Sequence, residues 1–581
     1  MKKRSSDLLQ FGLSIGIFIA LALISSAFYF KWDITAEKRN SLSDSTHELL
    51  ESLEEPVYVR VYLHGEYPAD YKRLEQSVEE RLAEFSSVSN GLIEYEFIDP
   101  YEEADEKKRQ EIFSALDEKG LKFSNITYEK DGQEINKIIW PGAIVEYQGE
   151  EFPIQFMRSE MPMSSPEMIN FSVNNLEYEL ASSFRRIFRK EKPRIAVLEG
   201  HKEIERMHMA DLLYSLKDNY DIRPVTIDAK LNALSDKLAE MQFRSNIYDL
   251  LIVAGTDTVV PDKDRFIIDQ FVMNGGKVLW MLDGLTMDLD SLKKGGMALA
   301  ISNENGLYEM LYEYGVRLNR DMIIDFQGAP IVVDNGPMGN QRSYIEKSNY
   351  YAPILTSERH SHPIAANLDP IFTEFAGSID TVNQNPKIKK TPFLFSSDLA
   401  KSFKAPVRID LELLREGPEY FKANNKAHQI MGILMEGEFT SAFKDFLPDS
   451  IRRNPVIAFR ESSAPTKMIL ISDADIAYNE VVTEDGKKFP LPLGYSKQYK
   501  KVIYDNKDLL MNCVNYLLDD AGLIDVRTKN IQVRKLNKEK VIAEENFWKT
   551  MNVASPLLIL AATSGILLFL RKRKWSKKNE K

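Results

Sequence analysis

Apolar positions along this chain fall into three patterns: two long unbroken runs, stretches at helical spacing, and short strand-like runs. Residues 8–30 carry no charge, and residues 551–570 form a second uncharged run. At 1.5 Å per residue the first reaches about 35 Å, enough to cross a hydrocarbon core of about 30 Å, so both runs read as transmembrane helices. Pro556 stands near the start of the second, where a missing N–H costs least. Tyr29, Trp32, Phe547 and Trp548 mark the boundaries, as interfacial aromatics do. Lys2, Lys3 and Arg4 precede the first run, and Arg571, Lys572, Arg573 and Lys574 follow the second. The positive-inside rule therefore predicts two cytoplasmic ends and a long outward-facing middle. A cleaved signal peptide ending near Ser25-Ser26-Ala27 is the competing reading of the first run, which exceeds the usual signal core of about 7–15 residues.

Between the runs the periodicity changes. A short polar helix over 44–53 precedes the alternating strand 57–63, and Tyr71, Leu74, Val78, Leu82 and Phe85 then follow at steps of three and four. That spacing places five apolar side chains on one helix face. A strand at 93–98, a polar helical stretch over 103–118 and strands at 138–147 and 151–156 complete the order β-α-β-α-β-β, the order of a thioredoxin-like sheet. Thioredoxin-like folds open the equivalent last hairpin with a cis-proline, and Trp140-Pro141 stands at that place; cis and trans are not distinguishable in sequence. Residues 171–190 read as a connecting helix with Leu176, Leu180, Phe184 and Ile187 on one side and a basic end at Arg185, Arg186, Arg189 and Lys190.

From Pro193 onward the pattern is doubly wound. Strands at 194–198, 225–227, 248–255 and 277–282 are interleaved with helices, and the second half adds strands at 393–395, 430–435 and 468–472 and a closing helix over 506–519. The largely apolar runs at 248–255 and 277–282 suit parallel strands buried on both faces. Residues 325–466 are broken by scattered Pro and Gly, with a loop around His360 and His362, and apart from the strands at 393–395 and 430–435 no regular element is assigned there. The expected architecture is α/β: a thioredoxin-like amino-terminal domain and a doubly wound α/β domain flanked by two transmembrane helices. Its boundaries fall at 1–7 for a cytoplasmic end, 8–30 for the first span and 31–170 for the thioredoxin-like domain. They continue with 171–192 for the connecting helix, 193–524 for the α/β domain with insertions and 525–550 for a polar linker. Residues 551–570 form the second span and 571–581 a basic cytoplasmic tail.

Composition narrows the chemistry. The formal charge is -12 over 581 residues, with the basic clusters at the two ends, so the body between them is more acidic still. Such a surface does not displace counterions from a phosphate backbone, and nucleic acid is not an expected partner. Cys513 is the single cysteine. A disulfide within the chain, a redox dithiol in the thioredoxin-like domain and a thiolate zinc cluster are all excluded. Its neighbours Leu509, Leu510 and Val514 place it on a buried helix face.

Ligands of doubly wound folds sit beyond the carboxyl ends of the strands. Glu199, His201, Asp257 and Asp283 lie there, with Asp473 and Asp475 after a later strand, and the first four form the candidate ligand-binding set. The same residues serve equally well as helix caps and turn ligands. His360 and His362 have the closeness of a metal pair but no third histidine nearby, and no metal site is assigned. Gly276-Lys277-Val278 and Gly486-Lys487-Lys488 fail the Walker A pattern, and the Gly12-Leu13-Ser14-Ile15-Gly16 match to a nucleophile elbow lies inside the first apolar run. No catalytic residues are expected, and the chain reads as a non-enzyme.

Several segments, in order, resemble the gliding-motility-associated ABC transporter auxiliary proteins, the GldG-like family. They are Trp32-Asp33-Ile34-Thr35-Ala36-Glu37-Lys38-Arg39-Asn40-Ser41-Leu42-Ser43, Asn175-Leu176-Glu177-Tyr178-Glu179-Leu180-Ala181 and Val197-Leu198-Glu199-Gly200-His201. Asp269-Gln270-Phe271-Val272-Met273-Asn274-Gly275-Gly276-Lys277-Val278-Leu279-Trp280 and Tyr314-Gly315-Val316-Arg317-Leu318-Asn319 extend the likeness over nearly the whole chain. The resemblance implies an auxiliary, so-called substrate-binding, subunit that joins a permease and an ATPase in the bacterial cytoplasmic (inner) membrane, with its large domain on the periplasmic side. It implies no cofactor on this chain, since ATP would be used by a partner subunit, and it carries over no catalytic residues. A ligand receptor with its pocket in the α/β domain is the alternative.

Overall fold

The computed structural model describes residues 41–519 apart from 104, 131–132, 158–164, 190, 238–241, 289–296, 339–340, 356–361, 367, 369, 383–384 and 424–425, and residues 545–576; residues 13, 16 and 522 are also described. The first apolar run apart from residues 13 and 16, the linker over 525–544 and His360 thus lie outside the described residues. Two compact units are present, residues 1–529 and 530–581.

The amino-terminal part of the first unit is built on four strands: β1 (Val57–Val61), β2 (Ile93–Phe97), β5 (Gly142–Tyr147) and β6 (Glu150–Gln155). Their order is β2-β1-β5-β6, with β1 parallel to β2 and antiparallel to β5. Strand alternation decides what each face meets. Val57, Val59, Val61, Ala143 and Val145 join a core with helices α1 (Asp44–Glu51), α2 (Ala69–Val88) and α4 (Ser165–Phe188), whereas Ile144 faces Phe113 and Leu116 of α3 (Glu106–Glu118). The five apolar residues spaced along α2 are all buried, as their period requires. Strands β3 (Ser124–Lys130) and β4 (Gln133–Ile139) form an added hairpin. The expected single strand over 138–147 is divided between β4 and β5 at Trp140-Pro141, because Pro141 has no N–H to give to a ladder. That peptide bond is trans; the cis bond among the described residues is Ala405–Pro406.

Helix α4 starts earlier than its apolar face suggests and is held by that face. Leu176, Leu180 and Phe184 are buried against α2, with the Phe184 and Phe85 rings 5.8 Å apart. Its buried Glu177 accepts the Ser43 N–H (2.7 Å) and the Thr46 hydroxyl (3.1 Å). The basic end of α4 is not a free solvated end: Arg185 pairs with Asp519, and Arg189 donates to the Leu518 carbonyl.

The second part holds a seven-stranded sheet. Its parallel strands run β8 (Asp221–Val225), β7 (Arg194–Leu198), β9 (Leu250–Ala254), β10 (Lys277–Met281) and β17 (Thr466–Ile471), followed by β16 (Ile430–Gly437), antiparallel to β17, and β14 (Ile388–Phe395), antiparallel to β16. One face packs on α5 (Ala210–Lys217) and α8 (Asn506–Leu518) through Leu212, Leu216, Leu509 and Leu517. The other packs on α6 (Asp262–Met273) and α7 (Leu307–Glu313) through Ile268, Phe271, Leu307 and Leu311. Both faces of β9 and β10 are covered, which is why their sequences are apolar without alternation.

Between β10 and β17 the chain leaves the sheet and builds a satellite core around Met322, Ile324, Tyr350, Tyr351 and Phe421. Its spine is β11 (Asp321–Asp325) and the long hairpin of β12 (Gly328–Met338) and β13 (Gln341–Leu355), with β15 (Ala400–Lys404) paired to β11. Sequence reading assigned no element to these strands. Pro330 and Pro337 were compatible with strand because β12 pairs on one side, to β13. Gly328 lets β12 approach so closely that a Cβ would meet the Asn349 carbonyl oxygen at 2.0 Å.

The second unit is described as one helix, α9 (Glu545–Ser576), whose window Phe547–Phe569 is long and apolar enough to cross a membrane. It begins before the expected span, so Pro556 lies inside the helix, not at its first turn.

Candidate functional site

The parallel strands β8-β7-β9-β10-β17 have the sequence order 2-1-3-4-5, in which the direction of winding reverses between the first and third strands. The loops after β7 and β9 flank that crevice, and those after β10 and β17 continue the same edge. All four expected residues therefore sit on the edge where such folds bind ligands, but their side chains are divided among three settings.

Glu199 forms an ion pair with Arg206 (2.7 Å), across a shallow depression lined also by Lys202 and Glu203. His201 points inward and is 6% exposed. Its Nδ1 lies 3.0 Å from Glu203 and its Nε2 3.0 Å from Asp264, in the first turn of α6. The Glu203 carboxylate also accepts the His201 N–H (2.7 Å), and Asp264 accepts the Ala229 N–H after β8 (2.7 Å). The Glu203 hydrogen bond, with Asp264 as the second partner, raises the imidazole pKa against the opposing effect of burial. Both ring nitrogens are thus occupied, and His201 clamps the loops after β7 and β8 to the start of α6.

Asp257 and Asp283 are brought together, joined by Asp473, Asp475 and, from the inserted lobe, Glu374. Asp283 accepts the Ala474 N–H (2.8 Å), and Asp473 accepts those of Asp475 (2.8 Å) and Glu374 (3.0 Å). Burial, then the Asp475 charge, pushes the Asp283 carboxyl up to about 8. Burial and Asp257 raise Asp475 to about 6; burial, Asp475 and Glu480 raise Glu374 to about 7. Asp473, buried beside Asp475 and Asp283, is raised well above the usual carboxylate range. Asp283, Asp473, Asp475 and Glu374 thus lie where burial and neighbouring carboxylates oppose their ionisation. Among the described residues no group of three or more His, Cys, Asp or Glu is placed to hold a metal ion. Glu374 was not visible as a member in sequence, because it follows a short strand inside the insertion with no motif around it.

Cys513 is buried in α8, where desolvation raises its thiol pKa and keeps it unreactive. His362 packs near Phe393 and Tyr516, its pKa lowered by burial to about 4, and its Nδ1 accepts the Ile364 N–H. A cavity of about 1030 Å³ lies elsewhere, between α7, the inserted strands and residues 442–446. Sequence reading did not find it, since its walls come from six separated segments.

A family model described as an ABC-type uncharacterized transport system matches residues 192–513, more than half of the chain. A domain of unknown function, DUF7088, matches residues 36–146. An uncharacterized protein of Borreliella burgdorferi is 24% identical over 452 residues, covering 77% of this chain and 80% of its own. Among solved structures, the mmIFT52 N-terminal domain is similar over 56% of this chain and 98% of its own, at 12% identity and a TM-score of 0.30, too weak a likeness to bear on function. With residues 192–513 of its α/β domain matched, the chain belongs to the ABC transporter auxiliary family.

Proposed function

We propose that this chain is a non-catalytic, membrane-anchored auxiliary subunit of a bacterial ABC transporter complex associated with gliding motility, in which an extracytoplasmic body scaffolds or couples a permease and an ATPase. The family match over residues 192–513 carries the transport-system part of this reading. The apolar window of α9, followed by Arg571, Lys572, Arg573 and Lys574, supports an anchor with a cytoplasmic end. The uncharged run over 8–30 supports a second span, and with it a periplasmic body held at both ends. The ordered segments named above support the link to gliding. The strand order β2-β1-β5-β6, with α2 and α4 on one face and α3 on the other, supports a thioredoxin-like amino-terminal domain. With Cys513 the single cysteine, that domain acts as a binding or spacer module.

A receptor role is the second reading, in which Glu199, His201, Asp257 and Asp283 bind a ligand; their position at the strand ends favours it. The saturation of His201 by Glu203 and Asp264 weighs against it.

Affinity purification of the tagged chain from native membranes in mild detergent tests the first reading. Co-purification of a permease and an ATPase, with ATPase activity that changes when this chain is removed, is the expected result. Recovery of the chain alone, under conditions that keep other transporters assembled, overturns it. Retained function after Ala substitution of His201 and Asp283 in an assembled complex overturns the receptor reading.

A further inference from the structure

We infer that the basic end of α4 is a latch, which fixes the amino-terminal domain on the α/β domain and is released when the chain beyond Asp519 is displaced. Such a latch rests on the coupling role proposed above and gives that role a moving part.

The two domains have separate cores. Buried apolar residues of the amino-terminal domain cluster between Leu42 and Ile187, and those packed with α5 and α8 cluster between Ile195 and Leu518. Among the described residues Tyr178, packed on Tyr516, joins the two in a small cluster of its own. The rest of the seam is polar. Arg185 pairs with Asp519, and Arg186 donates to the Asn219 side chain (2.9 Å). Arg189 donates to the Leu518 carbonyl (3.2 Å) and Lys192 to the Lys217 carbonyl (3.4 Å). The Asn515 amide reaches the Tyr178 hydroxyl at 3.4 Å. A cavity of about 170 Å³, lined mostly by polar side chains, lies among these groups. Polar, incompletely packed contacts of this kind are those across which domains move.

Electrostatics account for the cations at this place. Helix α4 ends at Phe188, α5 at Lys217 and α8 at Leu518, and the contacts above bring the three ends together. The carbonyl end of a helix carries partial negative charge, so ends that converge repel unless cations lie between them. Arg185, Arg186, Arg189 and Lys192 supply those cations. The Arg185 and Asp519 side chains are 18% and 8% exposed, so salt screens their pair little. Asp519 in turn joins three parts of the chain. Its carboxylate holds Arg185, its carbonyl accepts from the Lys467 ammonium of β17 (3.2 Å), and the chain continues from it toward α9. Displacement beyond Asp519 is therefore felt first at the Arg185 and Arg189 contacts. Once these are lost, the Tyr178 contact and the short connection between Phe188 and Arg194 bear the orientation of the amino-terminal domain.

The test uses the purified full chain in detergent, spin-labelled at Glu79→Cys on α2 and Tyr214→Cys on α5, two exposed positions in different domains. Double electron–electron resonance should give one narrow distance distribution between the labels. Arg185→Ala with Arg189→Ala should broaden it about two-fold, and Asp519→Asn should broaden it in the same direction. Each domain is expected to keep its own thermal transition in these variants, since neither core is touched. In the co-purified complex, adding ATP should move the distribution of the unsubstituted chain toward that of the arginine variant and leave the variant's unchanged. A distribution indifferent to the arginine substitutions, one already broad in the unsubstituted chain, or one that ATP does not move in the assembled complex overturns the inference. Failure to recover a permease and an ATPase overturns the coupling role instead, and the distances in the isolated chain still decide whether the arginines hold the domain.

Discussion

Asp283→Asn isolates the charge problem at the strand ends. Asp283 is desolvated and faces Asp475 and Asp257, so its folded pKa of about 8 lies far above an unfolded value near 3.9. The folded domain keeps a proton that the unfolded chain has already released. Stability from this group is therefore full below about pH 4, declines as pH rises and stops changing above about 8. One extra proton held by the folded state gives a slope of about -1.4 kcal/mol per pH unit. Allowing for half-release at pH 8, the wild-type loses about 2 kcal/mol through Asp283 between pH 6 and pH 8. Asparagine has nearly the shape of the protonated acid, and its carbonyl can still accept the Ala474 N–H. The variant should already exceed wild-type at pH 6, and its advantage should grow by about 2 kcal/mol between pH 6 and pH 8, roughly 3 °C for a domain of this size. Differential scanning fluorimetry of both proteins across pH 5–9 reads the difference directly and cancels every titration they share. Parallel melting curves across that range, or a variant less stable at pH 8, would refute the electrostatic argument.

His201→Gln leaves Glu203 and Asp264 without their shared cation and should lower stability by about 2–4 kcal/mol. Because the folded pKa of His201 is raised, its contribution is full below about pH 6.5 and fades as pH rises through the folded value, so the loss should be larger at pH 6 than at pH 9 in thermal melts. Phe184→Ala empties a site between α2 and α4 and should cost about 3–5 kcal/mol, seen as earlier proteolysis of the amino-terminal domain with the α/β domain intact. Topology can be read by cysteine labelling, since buried Cys513 contributes little background. Tyr214→Cys, 75% exposed on the body, should react with a membrane-impermeant maleimide in spheroplasts, and Ser576→Cys only after lysis. The opposite pattern would reverse the proposed orientation.

What could be read ahead of the structure was local. The helical spacing of Tyr71, Leu74, Val78, Leu82 and Phe85, and the unalternating apolar runs of β9 and β10, each answer to neighbours a few positions away or to burial on both faces, so pattern alone located them. The hairpin of β12 and β13 was hidden for the converse reason: its Pro and Gly are turn formers in isolation, and pairing on one side makes them tolerable. Functional geometry was harder, because it depends on distant segments. Ala474 meets Asp283 across 191 positions, and Glu374 reaches the same edge from within an insertion. His201 shows the same limit from the other side. Its place after β7 marked it as a candidate, yet Asp264, 63 positions on, turns it inward and makes it a clamp. A polar residue at a strand end is thus exposed to ligand or consumed by the fold according to what a later helix brings to it. The saturated groups are therefore those whose loss should appear first in stability.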